Sequence, residues 1–223
     1  MATERKVSEG EECIRQAEKY LKTSFFKWKP DYDSAANEYS KAATCFKGAR
    51  ALSKCKDALL RAADCYIKNN SFFSAAKCYE QAALMAKDMK DYTEVVTLTN
   101  QACQMFREYG TPDTAALSME KGAKIIESYH PERAIEMFAK ASEVVMLEER
   151  PKQAAEYVGK AVRLLLKLKR YDEAAEMMKK ELQFHLEGDN RPGAGRLVVA
   201  IVLVHLTRDD YVAAQKVFKD WNG

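Results

Sequence analysis

Two groups of residues in this sequence have types and spacings suited to binding. Lys160, Arg163, Lys167 and Arg170 recur at steps of three and four. On a helix they form one charged stripe, with Ala161, Leu164, Leu165 and Leu168 facing the other way. Lys121 with Lys124, and Lys87 with Lys90, repeat the pattern on a smaller scale. Set on a common concave side, these cations would form a positive track for an acidic, elongated partner. The plain alternative is a solvated helix face. The second group is a loop in which Phe25, Phe26 and Trp28 interleave with Lys22, Lys27 and Lys29. A lipid interface selects this mixture, because rings settle at the headgroup boundary while ammonium groups meet anionic lipid. A buried Phe contributes about 1.5–3 kcal/mol and each nearby Lys about 1 kcal/mol. Such a loop is a weak anchor that needs a second contact to act. The competing reading makes Phe25 an extension of the apolar face of the first helix, since Leu21 and Phe25 are four apart.

Catalytic and metal chemistry find no support. The chain has no Gly-rich phosphate loop, no Gly-x-Ser-x-Gly and no His-Glu-x-x-His. His130, His185 and His205 lack metal-ligand spacing, and His205 reads as a core or helix-end residue. Cys13, Cys45, Cys55, Cys65, Cys78 and Cys103 form no Cys-x-x-Cys pair and read as buried thiols. A net charge of +3, with Lys and Glu interspersed, gives no footprint for nucleic acid. No enzyme activity, cofactor or metal is expected.

The elements that must position these residues follow from a repeat. An aromatic or proline is followed by two small residues, a large residue and another small one, as in Tyr32, Ala35, Ala36, Tyr39 and Ala42. Taking the first small residue as the marker, positions 35, 75, 95, 115, 134, 154 and 174 step by about twenty, with one doubled step that Cys55 to Ala62 fill more loosely. One period is a helix plus a tight turn, and two make an antiparallel pair, as in tetratricopeptide and HEAT solenoids. The expectation is an all-α, tetratricopeptide-like solenoid of antiparallel helix hairpins, about eleven helices in a twisted right-handed stack. It would form a single helical-repeat domain over 1–223, with the aromatic/basic loop at 22–30 and a loop or kink at 188–193 before the last helices. Helix one is expected over Ser8 to Leu21, with Asp31 or Asp33 capping the next helix. Pro112, Pro131 and Pro151 start later helices. The apolar run Leu197 to Val204 is too short to span a bilayer and reads as a helix buried on several sides.

Particular strings go further. Lys27-Trp28-Lys29-Pro30-Asp31-Tyr32-Asp33-Ser34-Ala35-Ala36 and Gly110-Thr111-Pro112-Asp113-Thr114-Ala115-Ala116 resemble the soluble NSF attachment protein (SNAP) family, gamma type. Leu203-Val204-His205-Leu206 with Asp210-Tyr211-Val212-Ala213-Ala214 adds to the likeness, which covers essentially the whole chain. The resemblance implies a twisted sheet of helix hairpins followed by a C-terminal bundle and leucine-bearing tail, a segment expected to be missing from a chain that stops at Gly223. It implies a non-enzymatic adaptor in vesicle trafficking. Such an adaptor binds a SNARE bundle (syntaxin-type complexes) on a basic concave face and recruits the NSF ATPase for disassembly. It works on the cytosolic face of membranes as a peripheral protein, and its membrane-contact loop matches Phe25-Phe26. The basic face would comprise Lys87, Lys121, Lys160, Arg163 and Lys167. Two lysines best known in the alpha type fall at Leu117 and Glu156, so SNARE contact would be arranged differently here. A tetratricopeptide-type peptide-binding scaffold or co-chaperone is the alternative from another class.

Overall fold

A computed structural model describes residues 2–23 and 28–222. Among the described residues there are eleven α-helices and no strand. They are α1 (Ala2–Leu21), α2 (Tyr32–Gly48), α3 (Leu52–Lys68), α4 (Phe72–Asp88), α5 (Tyr92–Glu108), α6 (Pro112–Ile126), α7 (Pro131–Met146), α8 (Pro151–Lys167), α9 (Tyr171–Glu187), α10 (Arg191–Thr207) and α11 (Tyr211–Asn222). The chain divides within α6 into two compact units, 1–118 and 119–223.

The period of twenty has a local cause. Seven of these helices are 17 residues long, and a three-residue turn completes the step. In the first such turn Arg50 takes a left-handed φ of 57°. Ala51 then donates its amide to the Phe46 carbonyl at 2.9 Å, and Arg50 donates to Lys47 at 3.0 Å. This is the Schellman arrangement, which satisfies carbonyls orphaned at a helix end. Ala51 is also the N-cap of α3, so one residue closes one helix and opens the next. The left-handed position recurs at Asn70, Lys90, Gly110, Glu149, Lys169, Asp189 and Asp209. Only the α6–α7 connection departs from it among the described turns of this series. There α6 has 15 residues, and His130 donates back to Ile126 at 2.7 Å. That accounts for the shortened step between Ala115 and Ala134.

Turns this tight force consecutive helices to run antiparallel, and each packs on its sequence neighbour: α1 through α5 in the first unit, α7 through α11 in the second. Helices two apart are tied by ion pairs. Lys54 and Arg61 of α3 reach Glu11 and Glu18 of α1 at 2.6 and 3.2 Å, and Lys56 of α3 reaches Glu94 of α5 at 2.6 Å. In the second unit Lys160 of α8 reaches Glu120 of α6 at 2.7 Å, and Lys180 of α9 comes within 3.9 Å of Glu143 of α7. The result is a stack of antiparallel hairpins in each unit, the tetratricopeptide-like arrangement. Marker residues Ala35, Ala75 and Ala115 in the first unit, and Ala154, Ala174 and Ala194 in the second, are fully buried. Their small side chains let helix backbones approach, and Phe46, Phe106, Phe138 and Met178 fill the space beside them. Cys55 takes the marker place in α3, 1% exposed, so that helix is a full member of the series.

Three expectations are corrected. Helix one starts at Ala2, not near Ser8. The loop expected over 188–193 is only the three-residue turn Gly188–Asn190, because Arg191, Pro192 and Gly193 already form the first turn of α10. The Asn190 side chain accepts the Gly193 amide at 3.1 Å, capping that helix. The apolar run of α10, expected to be buried on several sides, is buried on one: Leu197, Val198, Ile201 and Val204 are buried, while Val199 and Leu203 are 60% and 58% exposed. Of the two candidate caps for α2, Asp31 is the one used, accepting the Ser34 amide at 3.0 Å.

Candidate binding groove

The charged stripe of α8 lines a groove of about 530 Å³ in the second unit. Lys160, Arg163 and Lys167 supply one wall, Lys124 of α6 and Glu127 just past its end the other, while Phe138 of α7 and Leu164 form the apolar lining. The geometry follows from the repeat. Positions three and four apart on α8 share a face, and α6 is the helix two back, to which α8 is tied. Arg170 does not belong to the stripe, because α8 ends at Lys167 and Arg170 is the N-cap of α9. It pairs instead with Glu173 at 2.6 Å.

The four cations are not equivalent. Glu120, only 11% exposed in its side chain, accepts from Lys160 at 2.7 Å and pairs with Lys124 at 2.6 Å. Burial pushes its carboxyl up, but the hydrogen bonds and charges of Lys124 and Lys160 outweigh this and hold it below the usual range. Lys160 also lies 4.9 Å over the Tyr157 ring. Lys160 is therefore mainly a brace between α6 and α8, whereas Arg163 and Lys167 are the exposed cations of the α8 wall, and Lys124 across from them is exposed while paired with Glu120. Behind Arg163, Glu181 of α9 sits against Gly159 of α8, where a Cβ would come within 2.8 Å of its Oε1. Burial drives the Glu181 carboxyl up to about 7, with Arg163 opposing. His185 Nε2 is 3.8 Å from Glu181 Oε1, and burial followed by Arg196 lowers the His185 pKa.

Of the expected basic-face residues, the groove brings together Lys160, Arg163 and Lys167. Lys121 is exposed on α6 outside the lining, and Lys87 is exposed near the end of α4 in the other unit. Sequence reasoning missed Glu120. Its signal was the offset of forty from Lys160, two repeat periods, close to the 43 that separates the α3 and α1 partners. At the aromatic loop, Lys22 and Lys29 are exposed and Trp28 is 87% exposed. The Asp31 amide donates to the Tyr20 carbonyl at 3.0 Å, tying the loop at its base. Phe25, Phe26 and Lys27 lie outside the described residues. No helix among the described residues is long and apolar enough to cross a membrane.

Comparison with known proteins supplies the rest. The family model described as "Soluble NSF attachment protein, SNAP" matches residues 8–222. A gamma-soluble NSF attachment protein of Dictyostelium discoideum is 30% identical over 96% of this chain and 66% of its own length. One from Arabidopsis thaliana is 28% identical over 62% of this chain and 47% of its own. The chain thus spans about two thirds of the Dictyostelium relative. Among solved structures, BtubC (BKLC) of P. vanneervenii aligns over 100% of this chain and 93% of its own at 15% identity. Its TM-score of 0.46 is too low to carry weight. On the family match, the chain belongs to the soluble NSF attachment protein family, gamma type.

Proposed function

We propose that this chain is a non-enzymatic adaptor of vesicle trafficking that binds an acidic SNARE bundle, holds it beside a membrane and presents it to the NSF ATPase. The observation that carries the reading is the groove of α6, α7 and α8, whose exposed Arg163 and Lys167 stand over an apolar lining in a chain of this family. Four-helix bundles with acidic surfaces are elongated, and a stack of hairpins offers a stiff face against which such a rod can lie. The loop at 22–30 acts as the second contact. Its exposed Trp28, Lys22 and Lys29 suit a headgroup boundary, and Phe25, Phe26 and Lys27 complete the same chemistry in sequence. The adaptor is then peripheral on the cytosolic face, with the loop raising its local concentration once the bundle is bound. Because the register of twenty runs through both units, residues 1–223 are taken as one repeat domain.

Liposome flotation with a soluble or membrane-anchored SNARE bundle tests this. Changing Phe25 and Phe26 together to Ser is expected to leave solution binding intact and to weaken association with the bundle in liposomes. A double variant with an unchanged melting point that still floats like wild type would remove the membrane role. Equal losses with and without lipid would place the loop in the protein-binding surface.

A further inference from the structure

The first unit contains a groove in the same register, built with different chemistry. It lies among α2, α3 and α4, with a volume of about 180 Å³. Thr44 stands where Lys124 does in the second unit, Gln81 where Lys160 does, Leu84 where Arg163 does, and Leu59 where Phe138 does. The lining is largely apolar: Ala43, Cys55, Leu59, Leu84 and Met85. Burial pushes the Cys55 thiol up, which keeps it neutral. No carboxylate lines it among the described residues. Lys47 lines it, and Lys87, exposed outside the lining, holds the same repeat position on α4 as Lys47 does on α2. Leu84 is 44% exposed at a helix position occupied elsewhere in this unit by Thr44, Asp64 and Gln104, so its aliphatic side chain is out of keeping with its place.

We propose that this groove is a socket for one aliphatic or aromatic side chain of an acidic helical partner, the SNARE bundle assigned to the second-unit groove, and it rests on that reading. Size agrees, since an apolar cavity of about 150 Å³ accepts a benzene-sized group. Charge agrees too. The Lys47 and Lys87 ammonium groups meet carboxylates flanking the inserted residue, while Thr44 and Gln81 offer hydrogen bonds at the edge. Apolar burial survives salt and long-range attraction does not, so the two grooves separate by ionic strength.

The test is fluorescence anisotropy of a labelled, pre-assembled soluble SNARE bundle against the full chain, at low salt and at about 1 M salt, where the screening length is about 3 Å. Thr44→Trp, which plugs the socket from an exposed position, and Leu84→Asp, which charges its wall, are each expected to weaken binding at high salt by about tenfold. Arg163→Glu should act at low salt and lose its effect at high salt. If Leu84→Asp lowers the melting point, Thr44→Trp decides. Two folded socket variants that bind like wild type at high salt would overturn the socket while leaving the adaptor reading intact, provided Arg163→Glu still weakens low-salt binding. A wild-type chain that binds no bundle at any salt would fail the adaptor reading, and the socket with it.

Discussion

Between α2 and α4 the first unit presents Thr44, Gln81 and Leu84, whereas between α6 and α8 the second presents Lys124, Lys160 and Arg163 at the same register. Beneath these residues the two units are alike. Ala35 and Ala75 in one, and Ala154 and Ala174 in the other, are fully buried where helices meet. The comparison separates two kinds of constraint. Positions where helices touch admit only small side chains, because a larger one would overpack. Positions that face the groove carry no such restriction, so one backbone can present an apolar socket in one place and a cationic wall in another. Glu181 marks the boundary of the rule. Its register is held in the first unit by Ala42, Ala62, Ala82 and Ala102, all fully buried. A carboxylate fits there in the second unit only because Gly159 opposite leaves room.

The strongest way to break the contrast is to remove the cationic wall. Arg163→Glu with Lys167→Glu is expected to lower affinity for an acidic SNARE bundle at low salt on the order of 10- to 100-fold and to flatten its salt dependence. Thr44→Glu with Leu84→Glu, which adds two negative charges where no cation is lost, should change the salt slope less. An unaltered low-salt binding curve with the fold intact would return the α8 stripe to a merely solvated face.

Lys160 sharpens the distinction between holding and binding. Lys160→Met leaves the buried Glu120 with Lys124 alone, so stability should fall by about 1 kcal/mol, less than for a wholly unpaired buried charge. The low-salt affinity should change less than with Arg163→Glu. Because the Glu120 carboxyl is held below its ordinary value of 4.5, its contribution is present above that pH and fades as the pH drops below it. Urea melts of both proteins at neutral pH and near pH 3 should therefore converge in acid.

The helices, their order and their buried faces were legible because marker residues recur at constant pitch, and Ala, Tyr, Phe and Met at those places reflect local packing. The turns were not. Seven of the eight left-handed turn residues are not glycine, and Arg50, Lys90 or Lys169 gives no turn signal by type. Gly188 to Gly193 gave too strong a signal, since Pro192 and Gly193 read equally as a loop or as a helix start, and Asn190 settles it by capping. The Lys160–Glu120 brace was hidden because helix-face reasoning treats one element at a time, while that pair joins two. Val199 and Leu203 were misread because an apolar run does not reveal which of its sides finds a partner.

Glu181 yields a smaller, pH-dependent difference between the units. Its carboxyl stands near 7 rather than 4.5, so the folded chain holds that proton more tightly than the unfolded chain. The contribution to stability is full below about 4.5 and is lost as pH rises through about 7. His185 opposes it: with its pKa lowered, its contribution is full above its ordinary 6.5 and fades as pH falls. Glu181→Gln should raise stability at about pH 8 by about 1 kcal/mol and leave little change near pH 5. Parallel pH profiles for variant and wild type would mean that the Glu181 carboxyl titrates as an ordinary exposed one.

The smallest effect tests where the units ought to be equal. Lys90 in the first and Lys169 in the second have φ of 62° and 58°, and both side chains are exposed. Their turns are closed alike, by Asp91 donating to Ala86 at 2.9 Å and by Arg170 donating to Leu165 at 2.9 Å. A left-handed L-residue costs about 1–2 kcal/mol, and glycine escapes that cost but loses about 0.5–1 kcal/mol more in backbone entropy. Lys90→Gly and Lys169→Gly should each stabilise by about 0.5 kcal/mol, and the pair should add because the sites share no partner. Gly110→Ala is the reverse experiment. Gly110 has φ of 84° and no neighbouring atom within 4 Å of an added Cβ, so a loss there is purely a backbone effect. Denaturant midpoints with unchanged slopes would report all three. Unequal gains at Lys90 and Lys169 would mean that the turns, like the grooves, have been put to different uses in the two units.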